Sequence, residues 1–175
     1  MRVPRLPVLL LLLVLSLAGP AGAAERVTIT VLQTSDLHAN LLPWNYARGA
    51  EGEWGLARVA TRIRQVRATA PNVLLLDGGD TIQGAPIAWL EARRPTDGPH
   101  PMAAAMNALS YDAMAVGNHE FNFGLDVLRR AQKDSAFPWL SANTRSSADG
   151  SAAFPEFLVR KLGGVRVGVL GLTTP

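Results

Sequence analysis

Four consecutive apolar residues, Val73-Leu74-Leu75-Leu76, constrain this chain more than any other stretch. A run of strand length without polar alternation belongs to a strand covered on both faces, which is the habit of parallel sheets flanked by helices. The run exits into Asp77-Gly78-Gly79-Asp80-Thr81-Ile82-Gln83-Gly84, a turn-rich polar segment. Two other stretches follow the same plan. An alternating β-branched run over 26–32 leads into Gln33-Thr34-Ser35-Asp36-Leu37-His38, and the apolar run 111–116 ends in Gly117-Asn118-His119-Glu120-Phe121-Asn122. Between them, Leu56, Val59, Ala60, Ile63 and Val66 recur at helical spacing over 55–69, ahead of Pro71. Shorter helices are expected over 87–91 and 102–109, and a further one over 123–132. A strand is expected over 137–143, and a hairpin over 157–162 and 165–170 turning at Gly163-Gly164. Strand–helix–strand alternation of this kind implies βαβ units and a mostly parallel sheet.

Residues 1–23 have another character. Arg2 and Arg5 precede a leucine-rich run over 6–17, and Gly19-Pro20 then leads into small residues. This is the pattern of a cleaved secretory signal peptide. The apolar run is shorter than the roughly 20 residues of a membrane-spanning helix, so no anchor is expected after cleavage. Without Arg2 and Arg5, 15 of the 17 basic residues face 14 acidic ones, about +1. That balance gives no basic patch for nucleic acid. The arginines at 58, 62, 64 and 67 read as the solvated face of a helix. The absence of cysteine excludes disulfides and thiolate metal sites, and an exported protein of this kind fits a bacterial periplasm. Residues 24–175 then amount to about one domain.

The chemistry sits at the strand exits, where open α/β sheets bind their ligands. Asp36 and His38 are two apart, so an extended backbone is expected to put both on one face. Asp80 follows two glycines, which let the backbone turn tightly beside an ion. Asn118 and His119, as neighbours in an extended segment, are expected to point opposite ways, one to a metal and one to a substrate. Carboxylates, an imidazole and an amide at three successive exits compose a two-metal site of the type that clamps phosphoryl transfer. Mixed nitrogen and oxygen ligation suits two divalent ions such as Mn, Zn, Co or Fe. Taken singly, Asp36 and Asp80 also read as turn or cap residues and His38 as a surface imidazole. His100, between two prolines, reads as local structure at the start of the next helix.

In order and spacing, Asp36-x-His38, Gly79-Asp80 and Gly117-Asn118-His119-Glu120 resemble the first motifs of calcineurin-like metallophosphoesterases. The longer matches are similar to the secreted 5′-nucleotidase and 2′,3′-cyclic-nucleotide phosphodiesterase family: Thr34-Ser35-Asp36-Leu37-His38, Gly79 to Gly84, His100-Pro101, Met106-Asn107 and Gly117 to Gly124. Asn122, where the 5′-nucleotidase branch has aspartate, tilts the resemblance to the 2′,3′-cyclic-nucleotide 2′-phosphodiesterase/3′-nucleotidase branch. The resemblance implies an α/β fold of the four-layer αββα sandwich type, here its N-terminal portion. It further implies a nucleotide or cyclic-nucleotide substrate. Asp36 and His38 would hold one metal, Asp80 would bridge, and Asn118 would hold the second. A metal-bound hydroxide would be the nucleophile, and His119 would protonate the leaving oxygen, oriented from the Asn122 position.

The family's later histidine ligands, a lone histidine and a Gly-His-x-His segment, have no counterpart here, where the histidines are His38, His100 and His119. The base-binding C-terminal domain has none either. The chain is therefore expected to be a truncated metallophosphoesterase domain, inactive or nearly so by itself. The alternatives are a degenerate, non-catalytic metal-binding relative, or a hydrolase of the same superfamily acting on a sugar nucleotide or a thiosulfate ester.

Overall fold

The structure, a computed structural model, describes residues 26–174, so the signal-peptide reading of 1–23 lies outside it. A four-stranded parallel sheet forms the centre, in the order β1 (Thr30–Thr34), β4 (Val73–Asp77), β5 (Ala113–Ala115), β6 (Trp139–Leu140). The connections carry helices α1 (Leu56–Thr69), α2 (Pro86–Arg93), α3 (Pro101–Ala108) and α4 (Leu125–Asp134). A small ribbon, β2 (Trp44–Asn45) with β3 (Ala50–Glu51), sits between β1 and α1. The hairpin β7 (Phe157–Leu162) and β8 (Val165–Leu170) pairs antiparallel around Gly163-Gly164. This is the mixed α/β architecture expected of the alternating pattern.

The boundaries differ where pairing, not polarity, decides them. β1 was expected over 26–32 and runs instead from Thr30 to Thr34, because its partner β4 begins opposite Thr30, at Val73. The polar Gln33 and Thr34 stay in the ladder opposite Leu76 and Asp77. β6 keeps two residues of the expected seven, because β5 offers only Met114 and Ala115 as partners. α4 starts at Leu125, after Gly124 at φ +87°, a conformation that favours glycine.

One side of the sheet packs Leu75, Met114 and Trp139 into a core with Ile63 of α1, Met106 of α3 and Leu128 of α4, all buried. Burying an aliphatic or aromatic side chain of this size stabilises by about 1.5–3 kcal/mol. Ala113 and Ala115 of the other side share a cavity with Val169 and Leu170 of the hairpin, which forms a second β-layer there. The hairpin leaves Phe157, Val159, Val165 and Leu170 exposed. Arg58, Arg62 and Arg64 are solvated as expected, but Arg67 is half-buried. Its guanidinium donates to the Leu109 and Ser110 carbonyls, closing the C-terminal end of α3. Among the described residues, no helix is long and apolar enough to cross a membrane.

Candidate metal centre

Because the sheet is parallel, every strand carries its C-terminal end to the same edge, and the loops after β1, β4 and β5 meet there. The first two remain paired beyond the ladder. Gly78 N–H donates to Thr34 O (2.7 Å), Asp36 N–H to Gly79 O (3.0 Å), His38 N–H to Asp80 O (2.9 Å) and Ala39 N–H to Thr81 O (2.9 Å). This backbone zipper sets the Asp36-x-His38 segment beside Asp80.

The zipper does not use extended backbone. Asp36, His38 and Asp80 lie at φ +53°, +46° and +58°, in the left-handed region that costs non-glycine residues about 1–3 kcal/mol each. Contrary to the extended-strand expectation, Asp36 and His38 share a site because both turn left-handed, not because they lie on one face of a strand. Asn118 is helical as well, at φ −73°, ψ −29°, and opens a 3₁₀ turn over His119–Phe121. The side chains of Asn118 and His119 therefore do not diverge as neighbours in a strand would. Strain concentrated in this way is a mark of functional sites.

The ligand atoms of Asp36, His38 and Asp80 lie within 4.8 Å of one another. His38 Nε2 is 3.9 Å from Asp36 Oδ1. His38 Nδ1 is 2.9 Å from Gln83 O, and a carbonyl only accepts, so the ring proton sits on Nδ1. That fixes the tautomer which turns a lone pair on Nε2 towards the two carboxylates, the usual outer-shell arrangement of a metal-ligating histidine. Asp36 is exposed and Asp80 half-buried, so the cradle opens to solvent. One imidazole and two carboxylates at this spacing fit a first-row divalent cation.

His119 adjoins the cradle. Its backbone N–H donates to Asp80 Oδ1 (2.9 Å), and its ring stands edge-on to that of His38, centroids 5.2 Å apart. Its Nδ1 is 3.2 Å from Asn122 Oδ1. Asn118 is brought to the same loop, with Thr174 Oγ1 3.5 Å from its Oδ1. His100 is elsewhere: it is the buried N-cap residue of α3, its backbone N–H donates to Asp134 Oδ2 (2.8 Å), and neither ring nitrogen has a hydrogen-bond partner. Burial holds its pKa below the ordinary histidine value.

Two carboxylates that the sequence reading gave no role prove central. Glu120 is fully buried and accepts four backbone hydrogen bonds. Oε2 takes those of Asp80 (2.8 Å) and Gly117 (2.7 Å), and Oε1 those of Thr81 (2.5 Å) and Ile82 (3.2 Å). Asp77, also buried, accepts from Gly79 N–H (2.9 Å), Thr81 Oγ1 (2.7 Å) and Thr34 Oγ1 (2.5 Å). Burial outweighs these donors and pushes its carboxyl up to about 6. The sequence signal for Asp77 is a charged residue directly after an apolar run, and that for Glu120 its place in the Gly117-Asn118-His119-Glu120 motif.

A family model described as calcineurin-like phosphoesterase matches residues 29–166. The 2′,3′-cyclic-nucleotide 2′-phosphodiesterase/3′-nucleotidase of Yersinia enterocolitica is 34% identical over 95% of this chain, and the 5′-nucleotidase of Homo sapiens 35% identical over 99%. The chain spans 27% and 30% of the length of these two relatives. The crystal structure of the calcineurin-like phosphoesterase YfkN from Bacillus subtilis has the same fold, with a TM-score of 0.78 at 35% identity. That match covers 84% of this chain and 48% of the other.

Proposed function

The chain belongs to the calcineurin-like phosphoesterase family, and from that premise we propose that it is the N-terminal, metal-binding portion of an exported hydrolase of nucleotide phosphoesters. The 2′,3′-cyclic-nucleotide 2′-phosphodiesterase/3′-nucleotidase type is the reading we favour, because of Asn122, over the 5′-nucleotidase type. Residues 1–23 are its signal peptide and 24–175 the N-terminal part of the phosphoesterase domain. The observation that carries the reading is the cluster of Asp36, His38 and Asp80 ligand atoms at the carboxyl edge of the sheet.

In this reading Asp36, His38 and Asp80 would hold one divalent cation, and Asp80 together with Asn118 would hold a second. Such cations, when bound, stabilise charge on the phosphoryl oxygens and make water a nucleophile near neutral pH. The remaining work belongs to side chains. The Gln83 carbonyl keeps the His38 proton on Nδ1 and so keeps Nε2 available. Asn122 Oδ1 accepts the Nδ1 proton of His119, leaving Nε2 to carry the proton that goes to the departing ester oxygen. After that transfer the ring retains its Nδ1 proton, so the bond to Asn122 persists through the step.

Calorimetric titration of the chain with Mn²⁺ tests the reading. Binding should weaken at least 100-fold in Asp80→Ala, since an inner ligand matters more than the outer partners, whose loss costs about 10–100-fold. A folded wild-type chain that binds no Mn²⁺ sinks the proposal. Mn²⁺ binding without hydrolysis of adenosine 2′,3′-cyclic phosphate by the full-length protein leaves the non-catalytic relative as the answer. Asn122→Ala separates proton transfer from metal binding. In the full-length enzyme it should lower kcat roughly tenfold, below the 10²–10⁴-fold of a complete general acid, while Mn²⁺ affinity stays unchanged. An equal fall in affinity would assign Asn122 to the metal cradle instead.

A further inference from the structure

Glu120 lies in the same tetrad as Asn118 and His119 but makes a different kind of contact. A carboxylate with no exposed surface is costly unless its lone pairs are satisfied by strong donors. Here the donors are four backbone N–H groups, three from the loop after β4 (Asp80, Thr81, Ile82) and one from the loop after β5 (Gly117). The first of those loops is zipped to the one after β1 through Asp36, His38 and Ala39. A single side chain thus joins the segments that carry Asp36, His38, Asp80, Asn118 and His119.

The fit leaves no slack. A Cβ on Gly117 would lie 2.2 Å from Asp80 Oδ1 and 2.7 Å from Glu120 Oε2. Asp80 is held at φ +58°, a conformation that persists only where its surroundings over-determine it, and the bond from its N–H to Glu120 Oε2 is part of that constraint. Asp80 Oδ1 in turn accepts the His119 N–H. Whatever steadies the Asp80 carboxylate therefore steadies the backbone of the proton donor.

We propose that Glu120 is a positioning residue that couples cation binding at Asp80 to the placement of His119, by clamping the loops after β4 and β5 into one unit. The proposal rests on the cation-binding reading of Asp36, His38 and Asp80. Binding that steadies one loop then steadies the other, and loosening the clamp weakens binding even though Glu120 is itself no ligand.

Two measurements on the chain test this. Glu120→Gln keeps the shape but turns an amide N–H₂ towards two of the four backbone donors, so Mn²⁺ affinity should fall about 10–100-fold, as for outer-shell partners. Amide hydrogen exchange on the wild-type chain needs no variant to fold. Diamagnetic Zn²⁺ should slow the Asp80, Thr81, Ile82 and Gly117 amides together at least tenfold, and leave unchanged the Leu75 amide, which donates to Asp112. Equal Mn²⁺ binding by Glu120→Gln, or a Gly117 amide that does not slow with the other three, overturns the coupling alone. A wild-type chain that binds neither cation overturns the underlying site reading.

Discussion

Gly79→Ala is expected to remove about 2–5 kcal/mol of folding stability, from a left-handed strain of about 1–2 kcal/mol and an overpacking cost of about 1–3 kcal/mol. Gly79 lies at φ +96°, and a Cβ there would stand 2.5 Å from Gly117 N, 2.8 Å from Gly117 Cα and 2.8 Å from Ala115 O. All three are backbone atoms, so no side chain can rotate out of the way. Relief requires the loop after β5 to move off the loop after β4, which also separates Asn118 and His119 from Asp80. Against a total stability of about 5–15 kcal/mol for a domain, the chain keeps little margin. Gly150→Ala is the control. Gly150 is also left-handed, at φ +71°, but a Cβ there meets nothing within 4 Å. It should cost only the strain, about 1–2 kcal/mol. Urea midpoints of the two variants isolate the steric part. Equal losses would mean that the two loops are not packed as tightly as these distances state.

How much of this was legible beforehand follows from which residues act locally. The βαβ alternation, the parallel sheet and the hairpin at Gly163-Gly164 came from periodicity and turn residues, which act within a few positions. Strand ends did not, because Thr30 and Trp139 owe their places in the sheet to Val73 and Met114, 43 and 25 residues away. The residue types Asp36, His38 and Asp80 were readable, since mixed carboxylate and imidazole at strand exits has few other uses. Their geometry was not. The spacing implies an extended strand where the backbone turns left-handed, a conformation imposed by the zipper between two loops about forty residues apart. Glu120 escaped for a related reason. A glutamate after histidine reads as one more polar loop residue, and only burial against four amides from elsewhere in the chain turns it into a structural anion. Arg67 shows the same limit on a helix: helical spacing puts it on the face read as solvated, and the C-terminal end of α3 claims it.

Asp77 carries the second large effect, and it opposes ordinary acid sensitivity. Its carboxyl is pushed from 3.8 up to about 6, chiefly by burial. The native state therefore holds a proton between about pH 4 and 6 that the unfolded chain has released. Stability from this group is highest below pH 4 and is lost as pH rises through 6. A shift of this size amounts to about 3 kcal/mol of penalty at neutral pH. Asp77→Asn imitates the protonated form. Its Oδ1 still accepts from Gly79 N–H and Thr81 Oγ1, and its amide donates to Thr34 Oγ1, whose own hydrogen turns to Tyr111 Oη, 2.9 Å away. The variant should gain on the wild type by about 2 kcal/mol more at pH 7 than at pH 4.5, the part of the penalty that develops between those values. Paired urea unfolding at the two pH values reads this difference directly and cancels the titration of every other group. A difference that stays constant with pH would place the Asp77 carboxylate in the ordinary range, with its three donors outweighing burial.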